Sequence, residues 1–344
     1  AWDNESFQTP ALYQPPAVTS NARTMNEKKF QNRLNKLFEK AINKKRKCCF
    51  PGCDIDAINS HILQKNGILK GISNNGHLIV SKTDFLKNEL FYFKKSGIQI
   101  TYTFKGFCQE HDSKVFKPIE NDEIDFDNYN NQLLFAYRTI LNEKRKKEVL
   151  IDWNNYQIND TELSRYLDIE IARGLNVQNK LAIKDLEYYE KIIINDLNSN
   201  NENFNFRIRS TKMLDICLAS HFTYETTRQR QEKINKTGDD YDILTDIFIS
   251  YFPLEDENVL IMGYLKSMED ICGKYVNEFF EVNEDILLKK ISSLLLTRCE
   301  EWACSELFYN EYIKSREKTI IEIFHKAVKS IDEDKEIDFN LFDN

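Results

Sequence analysis

The sequence predicts an α+β protein, and three observations predict it. Two short groups of metal-ligand residue types, Cys48-Cys49-Phe50-Pro51-Gly52-Cys53 and Cys108-Gln109-Glu110-His111, enclose an insert of strand-like runs. Apolar residues then recur at helical spacing from Asn131 to about Asn198. Residues 203–265 return to strand character, and Met268 to Val328 reads as three or four helices. At 344 residues, 41% hydrophobic and 30% charged, the chain is long enough for two or three domains and a sizeable core.

Composition narrows the setting. No run approaches the ~18 apolar residues of a membrane span, so no membrane partner is expected. No basic start leads into an apolar core, and eight cysteines do not amount to a secreted disulfide framework. Reduced thiols in a cytoplasmic, bacterial-type compartment are the expectation. The net charge of −8 conceals an asymmetry: residues 23–118 carry 19 Lys and Arg against 8 Asp and Glu, which leaves residues 119–344 at −17. That split suits a basic half facing DNA and an acidic half that recognises a protein or small ligand, or forms a homo-oligomer.

In order along the chain, residues 1–25 read as a flexible arm or a vector-derived remnant, with Met25 fitting a start codon. Residues 26–47 form a basic amphipathic helix opened by the capping box Thr24 to Glu27. Phe30, Leu34, Leu37, Phe38, Ala41 and Ile42 lie on one face, and Lys28, Lys29, Arg33, Lys36 and Lys40 on the other. Residues 48–120 make a zinc module with inserted strands at 78–81, 90–93 and 98–104; in the last, Ile98, Ile100, Tyr102 and Phe104 alternate with polar residues. A helix is expected from Ser113 until Pro118 stops it. Residues 121–200 give a helical hairpin whose second helix starts at Leu163, and 201–344 an acidic sheet with helices, ending in a partly disordered tail from Asp332.

Cys48, Cys53, Cys108 and His111 are the candidate zinc ligands, because two knuckles separated by a long insert can bring four soft donors to one tetrahedral ion. Cys49 competes with Cys48, which is preferred because the wider loop turns both thiols inward. Elsewhere His77 reads as a turn histidine, Cys217 and His221 as core residues, and His325 as a helix-face histidine. Cys299 and Cys304 share no helical face. No Gly-rich phosphate loop, nucleophile elbow or kinase signature is present, which argues against nucleotide hydrolysis and serine-type chemistry.

Over residues 48–120 the arrangement resembles a treble-clef zinc finger, specifically the HNH endonuclease (ββα-metal) group. Ser60-His61 falls where that group carries its first histidine, eight residues after Cys53, and Cys108 to Asp112 falls at its second knuckle. The run Ala57 to Gln64, with Gly76-His77, also resembles uncharacterised bacterial proteins, some in phage-defence settings. The resemblance implies a nuclease active in antiviral defence, with a structural Zn2+ and His61 as general base. It implies too that Asp112 helps hold a catalytic Mg2+ or Mn2+. The chain departs from the group in lacking an asparagine between Asn88 and Cys108, and in carrying Asp112 after the knuckle. A non-catalytic sensor in which zinc only builds the scaffold is the second reading.

Overall fold

The computed structural model describes residues 27–83, 91–121, 123–224, 242–299, 301–329 and 337–343. The arm at 1–25 and the first three residues of the capping box lie outside the described residues. Besides single turns, the elements in chain order are α1 (Glu27–Ile42), β1 (Asn59–His61), β2 (His77–Thr83), β3 (Phe91–Gly97), β4 (Thr103–Lys105), α2 (Gln109–Val115), α3 (Tyr129–Ile158), α4 (Ile169–Leu197), β5 (Phe204–Lys212), β6 (Ile216–Thr223), β7 (Asp246–Leu254), β8 (Glu257–Leu265), α5 (Glu269–Phe280), α6 (Glu284–Thr297), β9 (Ala303–Cys304) and α7 (Glu317–Lys329). The α+β class is as the sequence predicts, with antiparallel sheets. Among the described residues no helix is long and apolar enough to cross a membrane.

Seven strands form one antiparallel sheet in the order β3-β2-β9-β6-β7-β8-β5. Both faces are buried, so alternate residues of a central strand enter different cores. In β7, Phe248 and Phe252 face a core shared with α3 and α4, whereas Ile247, Ile249 and Tyr251 face one built by α5, α6 and α7. That is why the strand reads as an apolar run broken only by Ser250 from Ile247 to Phe252, rather than as an alternation. The two-residue strand β9 stitches the sheet together, pairing Cys304 with both Ile79 of β2 and Ile216 of β6. Of the strands between the two knuckles, β2 and β3 are therefore continuous with the sheet built from residues 204–304.

Local chemistry sets the helix ends. Asn128 caps α3 by accepting from the Asn130 and Asn131 N–H groups, and Asp168 caps α4 in the same way through Glu170 and Ile171. The second helix of the hairpin thus starts at Ile169, not Leu163. Leu163 and Leu167 precede it because they pack with Phe30, Leu34 and Trp153 in a small core under α1.

Three further expectations are corrected. Residues 98–102 are a turn, not a strand: Ile100 and Thr101 donate back to the Gly97 carbonyl, and Tyr102 adopts φ 55°. The chain must turn there because β3 pairs with β2 while β4 pairs with β1 in a separate two-stranded sheet. Ile100 is 68% exposed, whereas Tyr102 is buried with its hydroxyl donating to the Cys217 carbonyl at 2.9 Å. Helix α2 starts at Gln109, ahead of Ser113, because Cys108 acts as its N-cap. In the acidic tail, Leu341 and Phe342 are core residues, tied by the Leu341 N–H to Ser292 and by Arg316 to the 340 and 341 carbonyls; residues 330–336 lie outside the described residues.

Candidate metal centre

The first knuckle is a small hairpin. Lys47 bridges Asp56, the Cys48 N–H donates to the Ile55 carbonyl at 2.9 Å, and the Cys53 N–H donates to the Phe50 carbonyl at 3.1 Å. Gly52 closes the turn at φ 76°, a conformation that favours glycine. The second knuckle is the start of α2, where Cys108 and His111 lie three residues apart and so share a helical face. Backbone bonds from Cys49 to the Gly106 carbonyl and from Ile58 to the Phe107 carbonyl, with the β1–β4 pair, hold the two together.

The ligand atoms of Cys48, Cys53, Cys108 and His111 all lie within 4.8 Å of one another. Tetrahedral bonds of ~2.3 Å to sulfur and ~2.0 Å to nitrogen place sulfur pairs ~3.8 Å apart and sulfur–nitrogen pairs ~3.5 Å apart. Cys53 and Cys108 sulfurs are separated by 3.9 Å, and His111 Nδ1 stands 3.5 Å from Cys48 Sγ and 3.3 Å from Cys108 Sγ. The group is therefore arranged to hold a metal ion such as zinc, with His111 turned by stacking on Phe50 at 3.9 Å. The Phe50 N–H points at Cys48 Sγ. Burial pushes the metal-free Cys48 thiol up to about 11, whereas backbone hydrogen bonds, that of His111 foremost, pull Cys108 down. Cys49 faces away from the cluster and accepts from Arg145 Nη2 at 3.1 Å.

His61 ends β1, half-buried, with Nε2 2.9 Å from the Ile98 carbonyl. A carbonyl only accepts, so Nε2 carries the proton and Nδ1 keeps its lone pair. Burial pushes the imidazole below its ordinary pKa, against an opposing pull from the Ile98 carbonyl and with Lys65 and Arg138 adding to the depression. Asp112, in the first turn of α2, is raised by burial and drawn back by the Arg138 charge and the Ser60 hydroxyl. Its Oδ1 is buried without a hydrogen-bond partner.

Two residues of this neighbourhood escaped sequence reasoning. Ser60, fully buried, accepts the Phe107 N–H at 3.0 Å and so locks β1 to the loop before α2. Arg138 of α3 is also fully buried, bonded to Glu120 at 2.6 Å and lying 4.0 Å over the Phe116 ring. The available signal was one charge inside the apolar stretch Leu133 to Leu141.

The donors beside His61 do not fit a divalent ion. Mg2+ and Mn2+ favour several oxygen ligands. Here Asp112 offers one free oxygen, Glu120 is bound by Arg138, and that fixed guanidinium repels a dication. Among the described residues the Cys/His cluster is the one group of three or more His, Cys, Asp or Glu ligands at such spacing.

The remaining histidines and cysteines stay apart from the centre. His77 is exposed and bonds the Asn75 carbonyl, Cys217 is fully buried in the sheet, and His221 stands 3.8 Å from Asp246. On the basic face of α1, Arg33 grips both oxygens of Asp160 and reaches Glu162, and Lys29 meets Glu162; just past the helix, Lys44 and Arg46 meet Asp152. Comparison of the chain with protein-family models, curated proteins and solved structures finds no match.

Proposed function

We propose that the chain is a zinc-braced, HNH-like hydrolase of phosphodiester bonds in DNA, with His61 as general base. The observation that carries this reading is the His61 imidazole, whose Nε2–H is fixed on the Ile98 carbonyl and whose Nδ1 is left as a proton acceptor. Its depressed pKa keeps it neutral at pH 7, the state a base needs. The knuckle, the antiparallel β1–β4 pair and helix α2 that follows it support a treble-clef reading of residues 48–120. In the reaction Nδ1 takes a proton from water, the water oxygen bonds to phosphorus, the ester P–O bond breaks, and the leaving oxygen takes a proton from solvent. No step is assigned to Mg2+ or Mn2+, because the donors present do not suit them. Anti-phage defence is the setting that the resemblance of Ala57 to Gln64 supports.

The second reading is a non-catalytic sensor in which zinc is structural and the acidic C-terminal half recognises a protein or small ligand. The pairing of Lys29, Arg33, Lys44 and Arg46 with carboxylates favours it, since those cations are engaged within the chain. Plasmid cleavage by the wild type and His61→Ala at equal zinc content separates the two.

A further inference from the structure

We infer that Arg138 occupies the place of a second cation beside His61, so that the zinc-loaded protein takes no divalent ion there. The role of this guanidinium in hydrolysis rests on the phosphodiesterase reading; its exclusion of a dication does not.

Arg138 comes from α3, outside the stretch that holds the knuckles. Its side chain is 2% exposed, and a guanidinium cannot shed its proton, so a permanent positive charge sits in the interior. Such a charge is retained only with compensation close by. Glu120 supplies it directly at 2.6 Å, Asp112 supplies it through space, and the Phe116 ring lies beneath. Glu120 is in turn fixed by its own carbonyl, which accepts from Gln64 Nε2 at 2.7 Å, so the cluster ties α3 to the segment just after His61. Both carboxylates that could have met a dication therefore face a cation already built into the fold. Like charges repel, the more so where one of them is as buried as Arg138, although Glu120 itself reaches the surface, and a doubly charged ion suffers more than a monovalent one. Arg138 is here a positioning residue, acting through Asp112 and Glu120.

The test is Mn2+ titration of the zinc-loaded full chain, read by electron paramagnetic resonance. Wild type and Asp112→Asn should give superimposable curves, reporting only weak surface binding. Arg138→Gln, checked for zinc content and circular dichroism, should gain a Mn2+ site that Asp112→Asn removes again. A component of the wild-type curve that Asp112→Asn abolishes would overturn the inference, as would a folded Arg138→Gln that gains nothing. If Arg138→Gln does not fold, the comparison of wild type with Asp112→Asn decides alone. Plasmid cleavage on the same samples distinguishes the two claims: cleavage that requires Mn2+ refutes the inference and keeps the nuclease, whereas no cleavage in any condition refutes the nuclease and leaves the titration to decide the inference.

Discussion

The sulfurs of Cys53 and Cys108 stand 3.9 Å apart although 55 residues separate them in sequence. Closing that distance obliges the intervening chain to leave the knuckle, cross the sheet as β2 and β3, and return through the 98–102 turn to β4. The metal centre and the sheet are consequently one construction. The same excursion delivers the Ile98 carbonyl to His61.

Zinc should bind at one ion per chain, and Cys108→Ser should lose it while Cys49→Ser keeps it. Metal analysis of the purified variants checks this. Retention by Cys108→Ser, or loss in Cys49→Ser, contradicts the assignment of Cys48, Cys53, Cys108 and His111. Because metal binding to such sites contributes ~10–16 kcal/mol in small zinc domains, chelation should also lower the melting temperature steeply.

Tyr189 joins α4 to the sheet: its hydroxyl accepts the Asp246 N–H at 2.8 Å and donates to the Leu244 carbonyl at 2.9 Å. Tyr189→Phe removes both hydrogen bonds, and should cost about 1–3 kcal/mol. A denaturation midpoint that falls at unchanged slope is the expected record.

The lowered pKa of His61 has a definite sign. As a base it works neutral, so cleavage should rise with pH through a midpoint below the ordinary ~6.5 and then level off. Folding stability should follow the same direction. The unfolded chain takes up this proton first, so the contribution is complete above ~6.5 and is lost as pH falls toward the folded value. A rate midpoint above the ordinary imidazole value would contradict the environment described for His61.

Much of this was legible in the sequence, for reasons particular residues make clear. The Cys48, Cys53, Cys108 and His111 cluster was readable because metal chemistry restricts both residue type and spacing. The α3–α4 hairpin and β5 to β8 were readable because their apolar periods are long. The 98–102 turn was not, since Ile98, Ile100 and Tyr102 alternate as a strand would while their roles are fixed by distant partners, among them the carbonyl of Cys217. Strand β9 was hidden because two residues carry no period, and Arg138 because one arginine in an apolar helix announces burial without naming Glu120 as its partner.

The cations of α1 should divide by their partners. Changing Arg33, held by Asp160 and Glu162 and partly exposed, to alanine should lower the denaturation midpoint only slightly. Lys36 is exposed and has none of those partners, so Lys36→Ala should leave stability within about ±0.5 kcal/mol. On the DNA-binding reading it should instead reduce retention on DNA and lower the salt slope by about one. Equal retention by wild type and Lys36→Ala would remove α1 from the interface.

The most direct measurement is conversion of supercoiled plasmid by the zinc-loaded wild type and His61→Ala, matched for zinc content, with and without added Mg2+ or Mn2+. Nicking by the wild type that disappears in His61→Ala, while zinc and fold are kept, is the predicted result. Equal nicking by both proteins, or none by either, would contradict His61 as the base of a phosphodiester hydrolase.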